Sequence, residues 1–248
     1  MADYKLIALD MDGTLLREDK EISELNKTWI HRAEAAGMTV MMSTGRGIFS
    51  TMPYIEQLQL GSPIITSNGS EVWKAPGAIH RRELLRAEEV RELHALAVKH
   101  DTWYWAYSVE GLFNRDNWCE DVESQEWLKF GYYTEEDDTL AEVHAALKAR
   151  GGLELTNSHP SNIEVNPQGV SKASAVEEVC RLLGIGMHQV VAMGDSLNDL
   201  AVIRAAGLGV AMGNAQDAVK ADADLVTATN EEDGVALVIR DILEGRLA

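Results

Sequence analysis

Short apolar runs recur along the chain with little polar alternation inside them. They lie at residues 4–9, 38–43, 63–66, 189–193 and 208–211. Runs of this kind are typical of strands that are buried on both faces, as in a parallel sheet. The pattern therefore predicts at least five such strands.

Amphipathic segments of helical period separate several of these runs. Ser23 is predicted to cap a helix that ends at Gly37, and Ser171 to cap a second helix that ends at Gly184. Because strands and helices alternate, we expect an α/β fold with a doubly wound, Rossmann-like parallel sheet as its core.

The stretch from about residue 80 to 167 breaks this alternation. Its predicted elements are helices at 87–100 and 139–150, an aromatic hairpin at 102–115 and two strands within 153–166. The sequence thus predicts a core domain from residues 1–79 and 168–248, with a smaller α+β domain inserted at 80–167.

The N-terminal residues, the apolar runs and the cysteine content bear on the cellular location of the protein. The first residues, MADYKLIALD, lack the basic patch of a signal peptide, and no apolar run approaches the ~20 residues that span a bilayer. Cys119 and Cys180 are too few for a disulfide framework, so we expect a reducing, cytoplasmic location.

The charge balance bears on the partners of the protein. With 22 basic and 40 acidic side chains the net charge is −18, which disfavours nucleic acid and anionic membranes as partners. An anionic substrate would have to be attracted locally, by a divalent cation or by a few placed basic residues.

Polar residues follow the predicted strands, where an open α/β sheet binds its ligands. They are Asp10 and Asp12; Ser43, Thr44 and Arg46; Asn68; and Asp195, Asn198 and Asp199. Lys172 lies instead near a helix N-terminus, where the helix dipole disfavours a cation by ~0.3 to 1 kcal/mol. We therefore expect an anionic group beside Lys172.

Asp10 and Asp12 are two positions apart, so their side chains point into the same space if the strand continues through them. Two neighbouring carboxylates need a cation, or one of them must hold a proton. Mg²⁺ prefers oxygen ligands, which Asp10 and Asp195 can supply. Gly13 allows a sharp turn whose backbone amides can bind phosphate oxygens.

Four motifs occur in order along the chain. They are DMDGT at 10–14, STGR at 43–46, Lys172 within GVSKASAV, and GDSLND at 194–199, with TSNGS at 66–70 and GLGVAMGNA at 207–215 as further matches. On these motifs the sequence resembles the haloacid dehalogenase superfamily of phosphohydrolases, and within it the Cof-type, class IIB branch.

The resemblance implies roles for individual residues. Asp10 would be the nucleophile and Asp12 the general acid and base. The implied phosphate- or substrate-binding residues are Gly13, Thr44, Gly45, Arg46, Asn68, Lys172 and Asn198. The implied metal-site residues are Asp10, Asp12 through its backbone carbonyl, Asp195 and Asp199. Arg46 could instead anchor the following helix, and Asn68 could orient its loop rather than meet substrate.

The resemblance also gives the insert a meaning. About 100 residues separate Asn68 from Lys172, which is where the family carries a C2-type cap that selects small phosphorylated metabolites. Gly77, Pro167 and Gly169 are candidate hinges of this cap, and His159 and Asn162 are candidate specificity residues.

The resemblance thus implies a Mg²⁺-dependent phosphatase of small phosphomonoesters, such as sugar phosphates, acting through a phosphoaspartate. Two alternatives stay open: a metabolite-binding regulatory protein with vestigial hydrolysis, and a dedicated phosphatase of the sucrose or mannosylglycerate type.

Two other motif matches fail on context. DMDGT resembles a calcium-binding loop, but Leu15 occupies the position of the required glycine. GDSL matches a serine esterase signature, but no histidine follows Ser196.

Overall fold

Strands and helices alternate at both ends of the chain, and the middle of the chain departs from this order. The computed structural model describes residues 3–247. Their elements, in chain order, are β1 (Leu6–Leu9), α1 (Glu24–Ala35), β2 (Thr39–Ser43), α2 (Ile48–Leu58), β3 (Ile64–Thr66), β4 (Glu71–Ala75), β5 (Ala78–Arg82), α3 (Ala87–Lys99), β6 (Trp103–Ser108), β7 (Leu112–Asn114), β8 (Trp127–Tyr133), α4 (Asp137–Arg150), β9 (Leu153–Thr156), β10 (Asn162–Pro167), α5 (Lys172–Leu183), β11 (Val190–Gly194), α6 (Leu197–Ala205), β12 (Leu208–Ala211), α7 (Asp217–Asp222), β13 (Leu225–Val226) and α8 (Gly234–Leu243).

The larger sheet has eight strands in the order β13-β12-β11-β1-β2-β3-β4-β5. Its pairs are parallel from β13 through β3, with Leu6 of β1 opposite Thr39 of β2 and Val190 of β11. The five predicted apolar strands are β1, β2, β3, β11 and β12, so the prediction of a parallel core is confirmed. β1 lies between β11 and β2. The motifs that follow these three strands, at 10–14, 43–46 and 194–199, therefore come to one edge of the sheet.

Three strands of this sheet were not predicted: β4, β5 and the two-residue β13. β4 pairs antiparallel with β3, and β5 pairs antiparallel with β4. The predicted start of the insert, residue 80, falls inside β5, and Gly77 forms the turn between β4 and β5 rather than a crossing between domains. The domain division itself stays a prediction, and its terminal residues Met1, Ala2 and Ala248 lie outside the described residues.

The smaller sheet is antiparallel, in the order β7-β6-β8-β10-β9. Helices α3 and α4 cover one of its faces, where Val90 and Val143 pack with Phe130 and Val165. The predicted hairpin and both predicted helices are confirmed, whereas β8 was not predicted. We call this sheet with α3 and α4 the cap.

Each sheet has its own apolar cluster. The larger cluster surrounds β1, β2 and β11, and the smaller one lies between the cap sheet and its helices. Among the residues described, no helix has the length and apolar character to cross a membrane.

Candidate active site

The candidate site lies where the strands of the larger sheet end, directly beneath the cap. Asp10 follows β1, Thr44 follows β2 and Asp195 follows β11. Their common edge opens into a cavity of about 230 Å³. Its lining residues are Asp10, Asp12, Thr44, Gly45, Arg46, Trp105, Tyr107, Lys129, Ser158, Glu164, Ser196 and Asn198.

Lys172 links two buried carboxylates at the base of the site. Its Nζ donates to Asp10 Oδ1 over 2.6 Å and to Asp199 Oδ1 over 2.7 Å, and its side chain has no exposed surface. Burial opposes the charge on Lys172, but the charges of Asp10 and Asp199 raise its pKa above the ordinary value. The anionic partners expected for this lysine are therefore present.

Three carboxylates gather beside Lys172. Oxygens of Asp10, Asp195 and Asp199 lie within 4.8 Å of one another. Burial and the charge of Asp199 raise the pKa of Asp195 to about 7, and burial raises the pKa of Asp10 well above its usual range. A concentration of hard oxygen donors with excess negative charge fits a divalent cation such as Mg²⁺.

The two oxygens of Asp199 already have protein partners. Oδ1 accepts from Lys172, and Oδ2 accepts from the backbone N–H groups of Asp195 (3.1 Å) and Ser196 (3.2 Å). Asp199 thus shapes the loop that carries Asp195. Asp195 accepts from the neutral hydroxyls of Thr14 (3.4 Å) and Ser196 (2.9 Å), and Asp10 Oδ2 is not the oxygen that Lys172 binds, so these two carboxylates are better placed than Asp199 to face a cation.

Gly13 is required by its surroundings. Its φ is +75°, and a Cβ at this position would lie 2.6 Å from Asp195 Oδ2. Any side chain would therefore strain the backbone and displace the Asp195 carboxylate. The turn after β1 and the loop after β11 approach this closely because residue 13 is glycine.

The Asp12 carboxylate turns away from the acidic cluster. It accepts from Arg46 Nε (2.6 Å) and a second guanidinium nitrogen (2.7 Å), and from Lys20 Nζ (2.9 Å). Burial raises its pKa, but the hydrogen bonds from Arg46 and Lys20 outweigh burial and lower it to about 2. Asp12 is therefore ionised at neutral pH in this arrangement.

Arg46 lies between the cavity and the helix that follows it. Its guanidinium lines the cavity and binds Asp12, and it also lies over the ring of Tyr54 in α2, 5.3 Å from the ring centroid. Lys20 had no distinguishing sequence signal, since it lies in a loop of mixed charge.

The loops after β2 and β3 bind each other through Thr44, Gly45 and Asn68. The backbone N–H of Asn68 donates to the Thr44 carbonyl (3.0 Å), and the Thr44 hydroxyl accepts from the N–H of Arg46 (3.1 Å). A Cβ on Gly45 would lie 2.9 Å from Asn68 Oδ1. The loops pack so closely that residue 45 has no room for a side chain.

The cap supplies residues that sequence reasoning missed. Lys129 Nζ donates to the Gly45 carbonyl (2.7 Å) and to Glu164 Oε1 (2.9 Å), and Asn68 donates to Glu164 Oε2 (2.7 Å). Trp105 and Tyr107 of β6 complete the cap side of the cavity. The aromatic hairpin was a visible signal, but Lys129 and Glu164 had none.

Asn198 lies at the cavity, whereas the two candidate specificity residues, His159 and Asn162, do not. Asn198 lines the cavity and donates to Asn68 Oδ1 (3.2 Å). His159 and Asn162 instead hold their own loop: His159 Nδ1 accepts from the Ser161 N–H, and Asn162 Oδ1 accepts from the Ser158 N–H. Neither belongs to the cavity lining described above.

Comparisons with known proteins agree with this architecture. A family model described as haloacid dehalogenase-like hydrolase matches residues 7–139 and 113–239. The 5-amino-6-(5-phospho-D-ribitylamino)uracil phosphatase YcsE of Bacillus subtilis is 48% identical over 96% of this chain and 95% of its own length. A second phosphatase of that name, YitU of B. subtilis, is 35% identical over 95% and 96% of the two chains.

A solved structure of a haloacid dehalogenase subclass IIB sugar phosphatase, BT4131, has the same fold. Its TM-score is 0.83 at 23% identity, over 96% of this chain and 98% of that chain. The fold and the ordered motifs confirm the resemblance seen in the sequence. The chain belongs to the haloacid dehalogenase-like hydrolases and is a phosphatase of the Cof type.

Proposed function

We propose that this protein is a Mg²⁺-dependent phosphatase that cleaves a small phosphomonoester through a covalent phosphoaspartate on Asp10. The observation that carries the proposal is the buried Lys172, which holds Asp10 on one side of a cavity that Asp12 borders on the other. A nucleophile and a proton carrier thus face one cavity, and the cation that binds the nucleophile lies buried behind it.

The first chemical step uses Asp10. Lys172 binds Oδ1 of this carboxylate, which leaves Oδ2 to attack phosphorus as the bond to the leaving alkoxide breaks. Lys172 also neutralises charge on the transferring group. Asp10 and Asp195, with support from Asp199, would hold a divalent cation, which would supply further positive charge there.

The proton transfers use Asp12. In this role it protonates the leaving alkoxide and then takes a proton from the water that hydrolyses the phosphoaspartate, which releases phosphate and restores Asp10. Because Arg46 and Lys20 keep Asp12 ionised here, we expect bound substrate to draw Arg46 towards the phosphate. Asp12 can then take up the proton that it donates.

For the substrate we propose 5-amino-6-(5-phospho-D-ribitylamino)uracil, the compound in the names of the two relatives. The support is the 48% identity with YcsE across nearly the whole of both chains. A small phosphorylated metabolite fits a cavity of about 230 Å³ that the cap borders on one side. We also propose a cytoplasmic location, which suits the two free cysteines.

Phosphate release from a panel of phosphorylated metabolites tests the class. The wild-type protein, Asp10→Asn and the matched exposed control Asp116→Asn are compared with Mg²⁺ and with chelator. We expect Mg²⁺-dependent release that Asp10→Asn abolishes and Asp116→Asn retains. Nanomolar binding of a metabolite without turnover would instead support the regulatory alternative.

A further inference from the structure

One face of the cap sheet is turned towards the cavity and carries side chains to which we have assigned no role. On β6, β8 and β10, alternate residues pack against α3 and α4, and the residues between them face the larger sheet. Four of them line the cavity: Trp105, Tyr107, Lys129 and Glu164. Together with Gly131, which lies between Trp105 and Glu164 in the sheet, we call them the cap face.

A glycine in the middle of the cap face gives Trp105 its position. Gly131 pairs with Trp105 on one side and with Glu164 on the other. A Cβ at residue 131 would lie 2.3 Å from Cε2 and from Cζ2 of Trp105. The six-membered ring of the indole therefore lies against the backbone of Gly131, and the half-buried side chain lines the cavity.

The charged groups on the cap face are already paired. Lys129 donates to Glu164 and to the Gly45 carbonyl, and its Nζ lies 5.2 Å from the centroid of the Tyr107 ring. Lys129 and Glu164 are 1% and 3% exposed. The cap face therefore offers the leaving group an aromatic surface, and it holds no unpaired cation for a second anionic group.

We propose that Trp105 is the platform on which the leaving group of the substrate stacks, and that this group carries a neutral, planar, conjugated ring. The inference rests on the proposed function, because it assumes that the phosphate binds beside Asp10 in the same cavity. Aromatic rings gain from offset stacking on an indole, and alanine substitution of such platforms for nucleic acid bases costs about 1–3 kcal/mol, or roughly 5- to 150-fold in affinity.

A matched pair of substrates isolates the ring. 5-Amino-6-(5-phospho-D-ribitylamino)uracil and ribitol 5-phosphate share the phosphorylated chain, and only the first has the ring. In the wild-type protein, we expect the KM for the ring compound to be lower than that for ribitol 5-phosphate by a factor of about 10 or more, because stacking of a base on an aromatic side chain contributes about 1–3 kcal/mol. Trp105→Ala should bring the ratio of the two KM values close to one, and Trp105→Phe should retain part of it.

Two further variants address the position of the indole and the folding of the cap. Gly131→Ala displaces the Trp105 ring from the backbone, so we expect it to raise KM for the ring compound more than for ribitol 5-phosphate. Trp103→Ala is the matched control, since Trp103 lies on the same strand, 38% exposed and outside the cavity lining. Its KM ratio should equal that of the wild-type protein.

The outcomes separate this inference from the proposed function. If the wild-type protein releases phosphate from neither compound, the proposed substrate fails and the inference fails with it. If it cleaves both with equal KM, or if Trp105→Ala raises both KM values by one factor, the stacking role alone is overturned. An effect of Trp103→Ala equal to that of Trp105→Ala also overturns it.

Discussion

The acidic cluster beside Lys172 is unfavourable for folding, and Asp10 shows this most clearly. Its pKa is raised, chiefly by burial, so folding favours the protonated form. The stability that this group contributes is present below the unfolded pKa of about 3.8 and is lost as the pH rises through the folded pKa. At neutral pH the charged form of Asp10 therefore lowers the free energy of unfolding.

We predict that Asp10→Asn raises the melting temperature while it abolishes phosphate release. Because ionisation of this buried carboxyl opposes folding at neutral pH, removing its charge should raise the melting temperature, by roughly 2–4 °C for each kcal/mol gained. Thermal melts with chelator at neutral pH measure it, and the gain should shrink as the pH approaches 4. A lower melting temperature for Asp10→Asn would mean that its ion pair with Lys172 outweighs the cost of burial.

Single residues of the site were predictable where a short motif follows a strand. Asp10, Thr44, Asp195 and Lys172 all meet at the predicted edge of the sheet. Other pairings in the site were not predictable, because the contact of Arg46 with Asp12 spans 34 positions and that of Asn68 with Glu164 spans 96. The first depends on how two loops of the larger sheet approach each other and the second on how the cap is placed, and no local pattern encodes either.

At the scale of elements, three strands that the sequence missed, β4, β5 and β8, carry polar residues with partners elsewhere in the fold. In β8, Lys129 and Gly131 interrupt the apolar pattern, yet the whole strand is buried except for Tyr133. Glu71 in β4 is similarly buried because Arg82 in β5 binds it. A hydrophobic pattern recognises strands with apolar neighbours and misses those whose buried charges are paired.

The pair of Lys129 in β8 and Glu164 in β10 allows a test of pH dependence. Burial opposes ionisation of Glu164, but the charge of Lys129 and the Asn68 hydrogen bond lower its pKa below 4.5. In the wild-type protein, Glu164 thus contributes stability above pH 4.5 that is lost as the pH falls through its folded pKa. Without Lys129, burial would raise this pKa, and the sign of the dependence would reverse.

We predict that Lys129→Met lowers the free energy of unfolding by about 3 kcal/mol at pH 8, because it leaves a buried carboxylate without its cation. The loss should be smaller at pH 5, where Glu164 can take up a proton. The double variant Lys129→Met/Glu164→Gln should recover most of it. Urea unfolding at both pH values measures these differences, and equal losses at pH 5 and pH 8 would contradict the account.

At the scale of the whole molecule, the cap touches the larger sheet on two sides of the cavity. On one side Lys129 binds the Gly45 carbonyl. On the other, the Asn157 carbonyl accepts from the Asn198 N–H (3.0 Å) and Asn157 Oδ1 accepts from Gln216 Nε2 (3.2 Å). Of the two glycines predicted as hinges, Gly77 lies in a turn of the larger sheet, whereas Gly169 lies between β10 and α5 with a φ of +76°. These contacts hold the cap against the larger sheet beside the cavity, so we expect cap opening to limit turnover.

A cross-link between the cap and the larger sheet tests this expectation. Cysteines replace Asn157 and Gln216, which line the contact and have no assigned catalytic role, in a Cys119→Ser/Cys180→Ala background. A short thiol-reactive cross-linker should then lower kcat by about 10-fold or more, because product release requires the cap to open. The two single-cysteine variants, treated in the same way, should keep their activity. Full turnover in the cross-linked protein would mean that small metabolites enter and leave while this contact stays closed.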